Sequence, residues 1–254
     1  MRYTDLIFDL YGTLVDIHTE EDETVWEKTA FFFSFHGAGY TGPELTESFR
    51  SAMADRKAQA GQGYECYPDI PMEEVFAQLF RQKGVCDNAP ELGTQALELF
   101  RISSLEYIRL YTGAAEALAR LRERDFRLWL LSNAQAVCTR GELRLTGLDR
   151  AFDGIYLSSD FVCRKPDRRF FDALLLGEQL NPSHCLMIGN DWDTDIAGAK
   201  ARGLATLYLH TNLTPAEQAS AAPDLHPLAS GGPHWEYEGA DWIALAPILE
   251  ELAW

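Results

Sequence analysis

Positive charge is scarce in this chain. Over 254 residues, 22 Lys and Arg stand against 39 Asp and Glu, a formal net charge of −17 at pH 7. Neutralising nucleic-acid phosphates or an anionic membrane surface takes clustered cations, so neither is expected as a partner. Long apolar runs are missing as well. Nothing approaches the roughly 18 residues of a membrane span, and no basic stretch leads into an apolar one as in a secretory leader. Cysteine is sparse and unpatterned: Cys66, Cys86, Cys138, Cys163 and Cys185 are odd in number and contain no CxxC pair. That excludes a disulfide framework and a zinc knuckle, leaving isolated buried thiols in a reducing, cytoplasmic setting as the expectation. The six histidines make no HxH or HExxH pattern, so zinc chemistry has no support. There is no internal repeat, and no feature sets an oligomeric state.

What is present can build a core. Hydrophobic residues make up 46 % and charged residues 24 %, close to the globular average, and the length suits one or two domains. Leu6-Ile7-Phe8 is a short apolar run that ends at Asp9, with Gly12 as a break. From Asp16 to about Leu110 the spacing is helical, with no convincing strand. Helices are expected around Trp26–Gly37, from Pro43 to Gln59 behind a Thr41 or Gly42 cap, from Met72 to Gly84, and from Pro90 through Ile108. After Gly113, strands at Phe126–Leu131, Gly154–Leu157, Cys185–Ile188 and Ala205–Leu209 alternate with helices, the pattern of parallel βαβ units. Ala219–Gly239, rich in Pro, Gly, Ser and Ala, reads as a long surface connection before a last helix at Trp242–Leu252. The expected division is an α/β domain of residues 1–16 and 111–254, with a helical unit of residues 17–110 inserted.

In an open parallel sheet, ligands bind outside the carboxyl ends of the strands. The polar residues that follow the predicted strands are Asp9, Tyr11 and Thr13; Ser132 and Asn133; Lys165; and Asn190, Asp191, Asp193 and Asp195. Carboxylates gathered at one edge repel one another unless a cation joins them, and Mg²⁺ suits hard oxygen ligands. Thr13, Ser132, Lys165 and the N–H groups of the Gly12 turn would complete a phosphate cradle. Two letter patterns are set aside. Asp191-x-Asp193-x-Asp195 has Ile196 and Arg202 where a calcium loop needs Gly and Glu, and Gly37-x-Gly39-x-x-Gly42 follows a helix rather than a strand.

The stretches Ile7-Phe8-Asp9-Leu10-Tyr11-Gly12-Thr13-Leu14, Leu131-Ser132-Asn133, Lys165-Pro166-Asp167 and Ile188-Gly189-Asn190-Asp191 through Asp195-Ile196-Ala197-Gly198-Ala199 resemble the four ordered motifs of the haloacid dehalogenase (HAD) superfamily. The resemblance spans nearly all of the α/β part, while residues 17–110 match that family's cap in position and helicity. It implies a Rossmann-like parallel-sheet core with an inserted α-helical cap. It also implies nucleophilic attack by Asp9 on a small phosphorylated metabolite, through an aspartyl-phosphate. Thr13, Ser132, Asn133 and Lys165 would bind the transferring group. Mg²⁺ would be held by Asp9, the Tyr11 carbonyl and the fourth motif. Counting back five from Asp195 selects Asn190 and counting back four selects Asp191; the charged oxygen favours Asp191.

Two positions depart from the phosphatase pattern. Tyr11 stands where a general-acid Asp is usual, and Asn190 follows Gly189 where an Asp is usual. Tyr11 is instead characteristic of L-2-haloacid dehalogenases, which attack carbon without a metal. Those enzymes carry a halide-binding Arg about thirty residues after the nucleophile, and Phe31–Phe49 contains none; their Tyr after the Lys is Phe171 here, and their Ser and Asn of the fourth motif are Asn190 and Trp192. A phosphatase is the leading expectation, with a catalytically weakened binding or regulatory homologue and a dehalogenase as alternatives.

Overall fold

A computed structural model describes residues 2–59, 67–215 and 233–253. β1 (Asp5–Phe8) is buried along its whole length, as a short run apolar on both faces must be to gain from burial. It lies between β4 (Arg127–Ser132) and β6 (Cys185–Gly189), parallel to both. Register places Phe8 opposite Leu130 and Ile188, so all three chains leave the sheet at one level. β5 (Gly154–Leu157) extends the sheet on one side, and β7 (Ala205–His210) with β8 (His234–Glu238) on the other, giving the order β5-β4-β1-β6-β7-β8. All five pairings are parallel.

Alternate side chains of the strands feed two apolar layers. Leu6, Phe8, Leu130 and Ile188 pack against α5 (Ala114–Glu123) and α10 (Trp242–Ala253) through Leu118 and Trp242. Ile7, Trp129, Leu131 and Met187 pack against α8 (Arg168–Gly177) through Phe170 and Phe171. The long helices α1 (Glu23–Phe35), α2 (Gly42–Gln59), α3 (Met72–Gln82) and α4 (Ala89–Ser104) have a separate core around Phe33, Phe76, Phe80 and Phe100. Asp22 caps α1 through the Val25 N–H at 2.9 Å, and Thr41 with Glu44 forms a capping box at the start of α2. Among the described residues no helix is long and apolar enough to cross a membrane.

Three sequence expectations need correction. Val15–Thr19 and Leu105–Leu110 are strands β2 and β3, paired antiparallel, although the whole stretch from Asp16 to Leu110 reads as helical. Leu97, Phe100, Leu105 and Ile108 keep a helix-compatible spacing, and that hides the change of period after Ser104. Within Ala219–Gly239, residues His234–Glu238 form β8, with Trp235 and Tyr237 packed on the core; residues 219–232 lie outside the described ones. Cys86 is exposed rather than buried, while Cys163 and Cys185 are buried, Cys138 is half-buried and Cys66 lies outside the described residues.

Candidate active site

Where β1, β4 and β6 end, the chain delivers Asp9, Ser132 and Asn190 side by side. Lys165 reaches the same point from the loop between α7 (Ser158–Phe161) and α8. Its Nζ lies 2.7 Å from Asp9 Oδ1, 2.6 Å from Asp195 Oδ1 and 2.7 Å from the Leu131 carbonyl oxygen. The ammonium is 1 % exposed, so burial works to discharge it, but the pull of Asp195 and Asp9 outweighs burial and raises its pKa. Burial in turn pushes the Asp195 carboxyl above the usual carboxylate range, against the opposing pull of Lys165. The cation that joins the carboxylates at this edge is therefore Lys165.

Ser132 Oγ donates to Asp9 Oδ1 at 3.2 Å, so that oxygen is held twice. Among the described residues Asp9 Oδ2 has only the long contact from Thr13 Oγ1, at 3.5 Å. One oxygen is anchored and the other is loosely held. The anchor itself is fixed by Asn133, whose Oδ1 accepts from the Lys165 N–H at 2.7 Å and whose Nδ2 donates to the Lys165 carbonyl at 3.1 Å.

Gly12 has φ +81°, a region open to glycine at little cost. A Cβ there would lie 2.2 Å from Asn190 Nδ2, because Asn190 packs directly under the turn. The turn's N–H groups are not free as expected: Gly12 donates to the Val15 carbonyl, and Thr13 and Leu14 donate to that of Leu10. Its carbonyls are held from the far end of the chain. Thr211 Oγ1 donates to Gly12 O at 2.8 Å, and Trp242 Nε1 donates to Thr13 O at 2.9 Å.

In the fourth motif, Asn190 and not Asp191 faces the nucleophile's loop: Thr13 Oγ1 contacts Asn190 Oδ1 at 3.3 Å. Asp191 Oδ1 instead accepts from Asp193 N–H at 2.9 Å and Thr194 N–H at 3.1 Å, capping a π-helical turn at Trp192–Ile196. Asp195 Oδ2 accepts the Asp191 N–H at 3.0 Å, and Asp193 is exposed. The expected preference for Asp191 over Asn190 does not match this geometry. Among the described residues no group of three His, Cys, Asp or Glu is placed to hold a metal. A smaller donor set exists. Asp9 Oδ2 and Asn190 Oδ1 converge on the Thr13 hydroxyl, and the Tyr11 carbonyl accepts no hydrogen bond among the described residues. One carboxylate with neutral oxygens fits Mg²⁺ when waters and a substrate phosphate complete the shell.

Residues 6–203 match the haloacid dehalogenase-like hydrolase family. The chain belongs to that family. It is 31 % identical over 153 residues to a phosphoserine phosphatase of Thermus thermophilus, covering 60 % of this chain and 59 % of that protein, less than two thirds of its length. It is 27 % identical over 228 residues to (S)-2-haloacid dehalogenase 1 of a Pseudomonas species, covering 88 % of this chain and 91 % of the relative. The magnesium-bound structure of YfnB from Bacillus subtilis shares the fold, with a TM-score of 0.53 at 21 % identity over 98 % of this chain and 99 % of that one.

Beside the Asp9–Thr13 loop this HAD-like hydrolase has a cavity of about 370 Å³. Tyr11 and Asn133 form its wall on the sheet side, and Leu97, Phe100 and Arg101 of α4 form the opposite wall. The Tyr11 hydroxyl does not face Asp9's partners. It donates to Glu142 and lies 3.0 Å from Thr139 Oγ1, both on α6 (Ala136–Thr146). Burial, then the Glu142 carboxylate, pushes the phenol's pKa far up. Glu142 also receives Arg101, Nε to Oε1 at 2.6 Å and Nη2 to Oε2 at 3.4 Å. A second seam ties the segment before α3 to the sheet-edge loops: Arg164 N–H donates to Tyr67 O at 2.9 Å, and Met72 N–H to Gln135 Oε1 at 2.9 Å.

Sequence reasoning missed Arg101, Glu142 and Gln135. Gln135, Thr139 and Glu142 follow the Ser132-Asn133 motif at four- and three-residue spacing, so one face of the next helix was a readable signal. Arg101 had none, because its partner is 41 residues away.

Proposed function

We propose that the protein hydrolyses a small phosphate ester, with Asp9 as nucleophile and residues 17–110 as a cap over a core of residues 1–16 and 111–254. The observation that carries the reading is the asymmetry at Asp9. Lys165 and Ser132 hold Oδ1 and orient the carboxylate, while Oδ2 has, among the described residues, only the long Thr13 contact. Oδ2 attacks phosphorus, the bond from phosphorus to the ester oxygen breaks, and the alkoxide departs. Water then hydrolyses the aspartyl-phosphate and releases phosphate. Thr13 and Ser132 offer hydroxyls to the transferring group, and Lys165 offsets its charge. Asp9, Asn190 and the Tyr11 carbonyl would hold Mg²⁺, which neutralises phosphoryl oxygens when bound.

With its phenol committed to Glu142, Tyr11 supplies no general acid, so esters with good leaving groups should be turned over fastest. Turnover of p-nitrophenyl phosphate with Mg²⁺, lost in Asp9→Asn, tests the proposal; no turnover of any activated ester overturns it. Tyr11 favours a second reading, displacement of halide from a 2-haloacid by Asp9 without metal. Halide release from 2-chloropropionate in the presence of chelator would select it.

A further inference from the structure

Arg101 lines the cavity, together with Arg164, and the reaction above leaves its chemistry unused. It extends from the last turn of α4, and its guanidinium carbon lies 5.8 Å from the centre of the Tyr11 ring, two residues along from the nucleophile. Guanidinium carries five N–H donors in a rigid fork. Glu142 takes one edge, through Nε and Nη2, while Nη1 donates to no protein group among the described residues. The side chain is 26 % exposed and lines the cavity, so the unused edge opens into the space beside Asp9's loop. Glu142 itself is nearly buried, with 9 % of its side chain exposed. It therefore acts as a fixed brace that orients the fork and offsets its charge.

Resting on the phosphate-ester reading, we propose that Arg101 is a specificity-determining residue, and that the substrate's alcohol portion carries a carboxylate which docks on its free edge. A planar carboxylate matches the guanidinium fork in two-point geometry. The charge balance points the same way. Glu142 offsets most of the Arg101 charge, so a monoanion suits this edge better than a second phosphate dianion. Among the other lining residues, Ile17, Leu97 and Phe100 are apolar and would enclose a short carbon chain, while the Glu21 and Asp69 carboxylates on the same lining leave the arginine side as the place for an anion.

The test measures equilibrium binding of two phosphate esters to the full-length Asp9→Asn protein with Mg²⁺: 3-phosphoglycerate, which has the carboxylate, and glycerol 3-phosphate, which lacks it. A net charge of −17 works against the more anionic ligand unless a particular cation receives it. We expect 3-phosphoglycerate to bind about 10- to 100-fold more tightly, the range of a charge-assisted hydrogen-bonded pair. Arg101→Met should abolish the preference and Glu142→Gln, which uncovers the Arg101 charge, should widen it. Arg101→Lys keeps the stem and the charge but loses the fork; it should lose most of the preference and serves should the Met variant not fold. Equal binding of the two esters, or a preference unchanged in Arg101→Met or Arg101→Lys, overturns the inference. The phosphatase reading is judged separately by p-nitrophenyl phosphate turnover in the wild-type protein.

Discussion

The side-chain amide of Asn133 takes both main-chain groups of Lys165, accepting from its N–H at 2.7 Å and donating to its carbonyl at 3.1 Å. The amide suits this pairing because it presents an acceptor and a donor side by side. Asn133→Asp keeps the acceptor but turns a carboxylate oxygen toward the Lys165 carbonyl. We expect it to cost about 1 to 3 kcal/mol of stability, measured by denaturant titration, and to lower turnover of an activated ester. Asn133→Ala should do the same by leaving both main-chain groups unpaired.

Removing the ammonium should be far more damaging than removing its brace. Lys165→Met leaves Asp9 and Asp195 buried together without a cation, a change expected to cost about 3 to 5 kcal/mol. The pH dependence has a definite sign. Unpaired carboxylates have raised pKa values in the folded state, so their protonated forms stabilise the fold and that stability is lost as pH rises. The deficit relative to wild type should therefore be larger at pH 8 than at pH 5.

At Gly12 two penalties combine. Alanine would hold φ +81° at a cost of about 1 kcal/mol, and its Cβ would overlap the Asn190 amide. Gly12→Ala should lower the melting temperature, and adding Asn190→Ala should recover only the part due to overlap. Full recovery in the double variant would mean that backbone strain contributes nothing.

Tyr11→Phe separates two roles for the phenol. Because the hydroxyl serves Glu142 and Thr139, its loss should cost about 1 kcal/mol of stability. It should change turnover of alkyl and p-nitrophenyl phosphates alike by less than about tenfold. A selective loss of about 10² to 10⁴ on the alkyl ester would instead mark Tyr11 as the general acid.

Asp16 on β2 is 4 % exposed. Burial alone would raise its pKa, but hydrogen bonds from Asn212, Arg109 and Tyr107 outweigh burial and hold it below the ordinary value of 3.8. A depressed folded-state pKa contributes stability above the unfolded value, and that contribution is lost as pH falls through the folded one. Asp16→Asn should melt below wild type at pH 7, with the gap closing by pH 3 in thermal denaturation.

The parallel sheet was legible in the chain because short runs such as Leu6-Ile7-Phe8 and Cys185-Leu186-Met187-Ile188 are apolar on both faces and stop at polar residues. β2, β3 and β8 were not. β8 is an edge strand, and Leu105–Leu110 sits on an exposed ribbon, so neither needed a continuous apolar run, and pairing across about 90 residues leaves no local mark.

For the site, the sequence by itself determined which polar groups stand at the sheet's carboxyl edge, since a parallel direction follows from alternating helices and strands. It also accounted for part of the −17, by assigning Asp9, Asp191 and Asp195 to one cluster, of which the structure keeps Asp9 and Asp195 together on Lys165. Only the tertiary structure decided how that charge is balanced. Lys165 reaches both carboxylates from 156 residues along the chain from Asp9, Asn190 turns toward Thr13 while Asp191 turns back on its own loop, and Arg101 meets Glu142 beside the cavity. These choices depend on side-chain direction and on desolvation at a few ångströms, and spacing along a chain carries neither.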